Sequence, residues 1–151
     1  MTWTLKSFKE LTIDELHDIL QLRINVFVVE QDCPYPELDG KDRLAYHFFG
    51  QNNEGRIIAY TRIFRPGDYY DQPAVGRVVV DSKHRGDGTG YVLMKGTIEK
   101  MKELFGDSEI KIGAQKYLVR FYEKLGFTNT EEEYIEDGIP HVYMIRRPGL
   151  L

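Results

Sequence analysis

Apolar positions along this chain recur at two periods, and the changes between them mark out its elements. WTLKSF, from Trp3, alternates and predicts a short strand. In TIDELHDILQLRINVFVVEQ, Ile13, Leu16, Ile19, Leu20, Arg23, Val26 and Phe27 follow at mostly helical spacing. Thr12 and Glu15 form a capping-box pattern ahead of them, so a helix is predicted from Thr12 to about Gln31. DCPYPELDGKD is turn-rich, and Pro34 and Pro36 exclude continued helix. RLAYHFFGQ and RIIAYTRIFR are rich in β-branched and aromatic residues; NNEG between them signals a hairpin. The loop PGDYYDQPA then leads to VGRVVVD, whose Val78, Val79 and Val80 suit a buried strand.

After a glycine-rich segment a helix is predicted from Thr89 to about Leu104, and EIKIGA reads as another strand. QKYLVRFYEKLG reads as one helix, with Leu118, Phe121, Tyr122 and Leu125 on one face and Gly126 at its C-terminal stop. FTNTEEEYIEDGIPHVYMIRR reads as two strands joined at Asp137-Gly138. The order β-α-β-β-β-α-β-α-β-β predicts an α/β fold with a mixed, largely antiparallel sheet flanked by helices. No repeat or linker divides the chain, so residues 1–151 are expected to form a single domain.

Composition narrows the class. Hydrophobic residues make up 42% and charged residues 29%, ordinary for a soluble globular domain. No apolar run approaches the roughly 20 residues of a membrane span, and the N-terminus lacks the apolar core of a secretory signal. A single cysteine, Cys33, forms no internal disulfide, which points to a reducing cytoplasm. A net charge of −4 with no basic block argues against a nonspecific nucleic-acid binder.

The chemistry concentrates in HRGDGTGYVLMKG, where Gly86, Gly88 and Gly90 alternate just ahead of a helix. The first turn of a helix exposes unpaired N–H groups and the positive end of its dipole. A glycine-rich approach lets an anion close on them, and Arg85 adds a fixed cation. The segment is therefore read as a phosphate or pyrophosphate cradle. It is not a P-loop, since no G-x-x-x-x-G-K-[ST] run exists. The dinucleotide fingerprint fails too: counting from Gly88, its third glycine position is Leu93.

Arg85-Gly86-Asp87-Gly88-Thr89-Gly90 matches the R/Q-x-x-G-x-G/A motif of the GNAT superfamily of N-acetyltransferases, and the chain resembles that family. RVVVD before it and AQKYLVRFYEKLGF after it match two further family segments in order, the latter through Phe121, Tyr122, Gly126 and Phe127. LRINVFVVEQDCPYPELDGKD and DGIPHVYM resemble the ElaA-like branch. Ser82 stands where a proline often follows the motif strand, and Asp87 places an acid in the phosphate loop. That acid is expected to weaken pyrophosphate binding unless its side chain points to solvent.

The resemblance implies acetyl transfer from acetyl-CoA, as co-substrate, to a primary amine on a small molecule or peptide. The strand of Val78, Val79 and Val80 would carry a bulge and splay from its neighbour, freeing backbone for pantetheine and the acetyl carbonyl. Arg85, Gly86, Asp87, Gly88, Thr89 and Gly90 would hold the pyrophosphate. Tyr122 matches the family's general acid, its alternative being a core tyrosine. Gln115 would bond pantetheine, its alternative being a helix cap. His141 is the leading candidate for a base that deprotonates the amine, ahead of Glu30, Glu37, Asp39 and His47; a water relay is the alternative. Cys33 is read as a small packed residue rather than a nucleophile. Tyr69 and Tyr70 are read as partly packed, solvent-facing loop residues rather than a pocket wall. No metal-ligand spacing occurs. A homodimer stays open, and a non-catalytic CoA-binding sensor or interaction module is the competing function.

Overall fold

The computed structural model describes residues 1–149; the last two residues of the expected domain, 150–151, lie outside them. The predicted element order is observed. Strands β1 (Thr2–Ser7), β2 (Tyr46–Gln51), β3 (Ile57–Phe64), β4 (Ala74–Val80), β5 (Ile110–Gln115), β6 (Phe127–Glu136) and β7 (Ile139–Arg146) form one sheet ordered β1-β2-β3-β4-β5-β7-β6. Only β4 and β5 pair in parallel; every other neighbouring pair is antiparallel.

Helix α1 (Ile13–Ile24) begins at the predicted cap: Glu15 N donates to Thr12 Oγ1 at 3.0 Å, and Thr12 N donates to a Glu15 carboxylate oxygen at 2.9 Å. Its path continues as a π-helical segment, Asn25–Glu30, so the predicted length holds while its second half changes hydrogen-bond pattern. Helix α2 (Thr89–Phe105) ends at Gly106, φ +80°. The segment read as one helix from Gln115 to Gly126 is divided. Gln115 closes β5, a 3-10 turn spans Lys116–Leu118, and α3 covers Val119–Glu123. Over a single turn, periods of 3.0 and 3.6 place apolar residues almost alike, which is why the pattern did not separate them. Gly126, φ +92°, follows α3 as its stop.

The sheet is covered on both faces. Leu93, Met94, Ile98 and Met101 of α2 pack with Phe48, Ala59, Ile63 and Val75, and Tyr122 joins this cluster from α3. On the other face Ile19 and Leu22 of α1, with Val26, pack on Phe49, Tyr60 and Val79. Phe48 and Phe49 therefore divide between the faces as period-2 alternation requires. Val75 and Val79 have the same parity yet face opposite sides. One extra residue in β4 causes this: the β3–β4 register shifts between Tyr60 and Arg62, and Arg77 adopts φ +50°.

Candidate active site

The bulge and the end of the parallel ladder fall together. β4 and β5 pair only through Ala74–Lys111 and Val75–Ile112, after which no further partners join them. The resulting wedge opens into a cleft of about 690 Å³, lined by Gly76 to Val80 on one side and by Ile112, Gly113 and Gln115 on the other. Past Val75, β4 backbone groups on that edge have no strand partner, as the expected splay requires.

At the C-terminal end of β4 the chain makes a 3-10 turn at Ser82–His84 and then enters the glycine segment. Gly86 (φ +81°) and Gly88 (φ +88°) take left-handed conformations, and a methyl group at either would meet no atom within 4 Å. Conformation, not crowding, demands glycine at both. Gly90 differs: a methyl there would stand 3.6 Å from the Phe121 ring and 3.9 Å from Val80, partly filling the cleft. Arg85 reaches across the cleft, its Nη1 donating to Glu30 Oε2 at 2.5 Å and its Nε to the Val80 carbonyl at 3.1 Å. Asp87 does not point away from the loop. Its carboxylate accepts from Thr89 N at 3.0 Å and Thr89 Oγ1 at 2.6 Å, and these bonds lower its pKa. Two cradle groups, the Arg85 guanidinium and the Thr89 amide, are thus held by the chain's own acids.

Val78, Val79, Val80, Arg85, Gly90, Gln115, Tyr122 and His141 all line the cleft, with Gly86 to Thr89 in the loop beside it. Tyr122, on α3, is buried with its ring edge-on to Phe121 (5.1 Å) and Phe127 (5.9 Å). Burial pushes its phenol well above the ordinary range, so it stays protonated at neutral pH. Gln115 makes no capping bond; its Oε1 accepts from Gln31 Nε2 at 3.5 Å across the cleft. On β7, His141 Nδ1 donates to the Ile139 carbonyl at 2.7 Å, which leaves Nε2 as the nitrogen able to carry a lone pair.

The other base candidates divide. His47 is fully buried and outside the cleft, with Nδ1 against the Tyr60 hydroxyl at 2.6 Å and Nε2 against the Asp42 carbonyl at 2.9 Å. Burial lowers its pKa. Glu37 is also buried and outside. Glu30, Cys33 and Asp39 do line the cleft, Cys33 with its thiol 3.5 Å from the Asp137 carbonyl. Tyr69 and Tyr70 line it as well, Tyr69 still 38% exposed and only partly packed, Tyr70 half-buried. Tyr69 stacks on Phe64, five residues earlier, at 5.0 Å, and Tyr70 packs edge-on to Tyr143 of the distant β7 at 5.9 Å.

A closed ring of six charges borders this part of the cleft, and sequence reasoning missed it. Arg23 donates Nε and Nη2 to the Glu37 carboxylate, each at 2.8 Å, and Nη1 to Asp42 Oδ1 at 2.7 Å. Arg62 bonds the same Asp42 oxygen at 2.9 Å and grips Asp39 at 2.9 and 2.8 Å. Arg77, the bulge residue, closes the circuit by bonding Glu37 and lying 3.5 Å from Asp39. Burial disfavours ionisation of Asp39 and Asp42, yet the arginine hydrogen bonds outweigh it and hold both carboxyls below the usual range. The ring ties the loop after α1 to β3 and to the bulge in β4. Arg23 on the apolar helix stripe was the one local signal of it.

The chain matches the acetyltransferase (GNAT) domain model over residues 18–147. It is 40% identical to protein ElaA of Escherichia coli over 146 residues, 95% of each chain. The crystal structure of Escherichia coli ElaA superposes with a TM-score of 0.89 at 38% identity, covering 97% of this chain and 99% of that one. An acyl-CoA N-acyltransferase from Pseudomonas aeruginosa superposes at 0.90 with 39% identity, with the same coverage. An aminoglycoside 6'-N-acetyltransferase complexed with coenzyme A shares the fold alone, at 12% identity and a TM-score of 0.72 over 95% and 96% of the two chains. A cleft between splayed strands, a glycine cradle at the entry to α2 and these relatives lead to one conclusion: the chain belongs to the GNAT acetyltransferase family, in its ElaA-like branch.

Proposed function

We propose that this protein transfers an acetyl group from acetyl-CoA to a primary amine, on a small molecule or a peptide. The observation that carries the reading is the wedge between β4 and β5, opening beside two left-handed glycines at the start of α2. Its residues fit the co-substrate: Arg85 and the amides from Gly86 to Gly90 suit a diphosphate, and the unpaired edge of β4 suits the amides of pantetheine.

The chemistry then makes three demands. A lysine-like amine, with a pKa of about 10.4, is protonated at neutral pH and must lose a proton to attack. His141 lines the cleft with Nδ1 anchored to the Ile139 carbonyl, and its Nε2 is the acceptor we assign for that proton. Charge developing on the thioester oxygen calls for fixed donors, which the bulged backbone at Val78 and Val79 supplies. As the C–N bond forms and the C–S bond breaks, the departing sulfur takes the Tyr122 hydroxyl proton. Burial keeps that phenol protonated, so it serves as an acid and not as a base. Glu30 and Asp87 must yield Arg85 and the Thr89 amide to the diphosphate, so affinity reflects an exchange of anions.

Thiol release from acetyl-CoA across a panel of amines tests the proposal. Amine-dependent release that falls in Tyr122→Phe supports it. Measurable coenzyme A binding with no amine above background would instead support the sensor.

A further inference from the structure

Two tyrosine hydroxyls close the apex of the wedge. Were the parallel ladder to continue past Val75–Ile112, Gly113 would stand opposite Gly76, so this glycine pair marks where the strands part. The two sides are unlike. A methyl group at Gly76 would meet nothing within 4 Å. One at Gly113 would lie 2.1 Å from the Tyr134 hydroxyl oxygen and 3.2 Å from that of Tyr70. The Tyr134 hydroxyl therefore occupies the place where a side chain on β5 would begin, and only glycine permits it there.

Tyr134 is held in that position from three sides. It starts on β6, where it pairs in register with His141. Its ring stacks on His141 at 5.2 Å and on Tyr143 at 4.5 Å, crossing β7 to reach β5. Its hydroxyl converges with that of Tyr70 on the same point at Gly113, and the Tyr70 ring packs edge-on to Tyr143. Ring stacking and a hydroxyl pair leave little freedom for rotation away from the apex.

A bound thioester has one sensible direction. The glycine cradle lies at the C-terminal end of β4, so an arm leaving it along the strand passes Val80 and Val79 before Val78. The acyl group leads, toward Gly76 and Gly113. We propose that Tyr134, backed by Tyr70, sets the acyl length that the wedge admits and restricts the donor to acetyl. This rests on the wedge being the thioester site.

The test compares acetyl-, propionyl- and butyryl-CoA on the full chain, on Tyr134→Phe and on Tyr70→Phe. Calorimetric affinity without amine and kcat/KM with one amine are both read, each as a ratio to acetyl-CoA, so that general impairment cancels. In the wild type the first added methylene should cost about tenfold or more, and Tyr134→Phe, which keeps the ring and its stacks, should recover about tenfold in the propionyl-to-acetyl ratio. Tyr70→Phe should move the ratio the same way by releasing the Tyr134 hydroxyl. Equal use of all three esters by the wild type, or an unmoved ratio in Tyr134→Phe, overturns the acyl limit while leaving the wedge as the thioester site. Failure of every ester to bind overturns both.

Discussion

Replacing Arg23 by methionine removes the innermost member of the charge ring and keeps an unbranched stem on α1. Arg23 is 0% exposed and supplies three short bonds to carboxylates, two to Glu37 and one to Asp42. Deleting one partner of a buried ion pair leaves the other charge in low dielectric and typically costs about 3–5 kcal/mol. Here Glu37 retains Arg77, and Asp42 retains Arg62, so the loss belongs at the lower end, about 3 kcal/mol. For a chain of this length that lowers the melting temperature by roughly 6–12 °C. Urea unfolding at pH 7, followed by circular dichroism, reads the difference. The double variant Arg23→Met, Glu37→Gln should lose less than the sum of the single losses, since each single change strands the other's partner. A loss under about 1 kcal/mol, or strict additivity, refutes the idea that the ring holds the loop after α1 to the sheet.

Four further outcomes follow from the same geometry. Gly88→Val puts a β-branched residue at φ +88° and should weaken coenzyme A binding at least tenfold by calorimetry, with the helix start strained by about 1–3 kcal/mol. Tyr122→Phe should lower kcat by about a hundredfold or more with donor affinity nearly unchanged, checked by stopped-flow thiol release. Thr12→Ala should destabilise α1 by about 1 kcal/mol in urea. Acid should act in two stages. The lowered folded pKa of His47 gives stability that is present above about pH 6.5 and lost as the pH falls through the folded value, because the unfolded state then binds more protons. Asp39 and Asp42, also lowered, lose theirs below about pH 4, and in His47→Gln only that second stage should remain.

The parts legible in sequence are those encoded within one element. The Thr12–Glu15 box announced α1, Asp137-Gly138 the last hairpin, and the R-x-x-G-x-G run the start of α2. The bulge was illegible from residues alone, because Val78, Val79 and Val80 are apolar whichever face each takes, and only the resemblance implied it. The ring was illegible because its members come from positions 23, 37, 39, 42, 62 and 77, on elements brought together only by the sheet. Among the histidines, sequence position did not distinguish His47 from His141. Packing does: His47 spends both ring nitrogens in the core outside the cleft, whereas His141 lines the cleft and commits only Nδ1, to the Ile139 carbonyl. Tyr69 and Tyr70 sit in a polar, glycine-containing loop that predicts exposure with partial packing; Tyr69 keeps that exposure, while Tyr143, far along the chain, draws the Tyr70 ring to the cleft wall.

A crystal structure with acetyl-CoA bound tests the central claim most directly. The account places the diphosphate on the amides between Gly86 and Gly90, with Arg85 released from Glu30, and the sulfur between Val78 and the Tyr122 hydroxyl. Density for the nucleotide outside the β4–β5 wedge, or a diphosphate that leaves the Arg85–Glu30 and Asp87–Thr89 pairs intact, would contradict it.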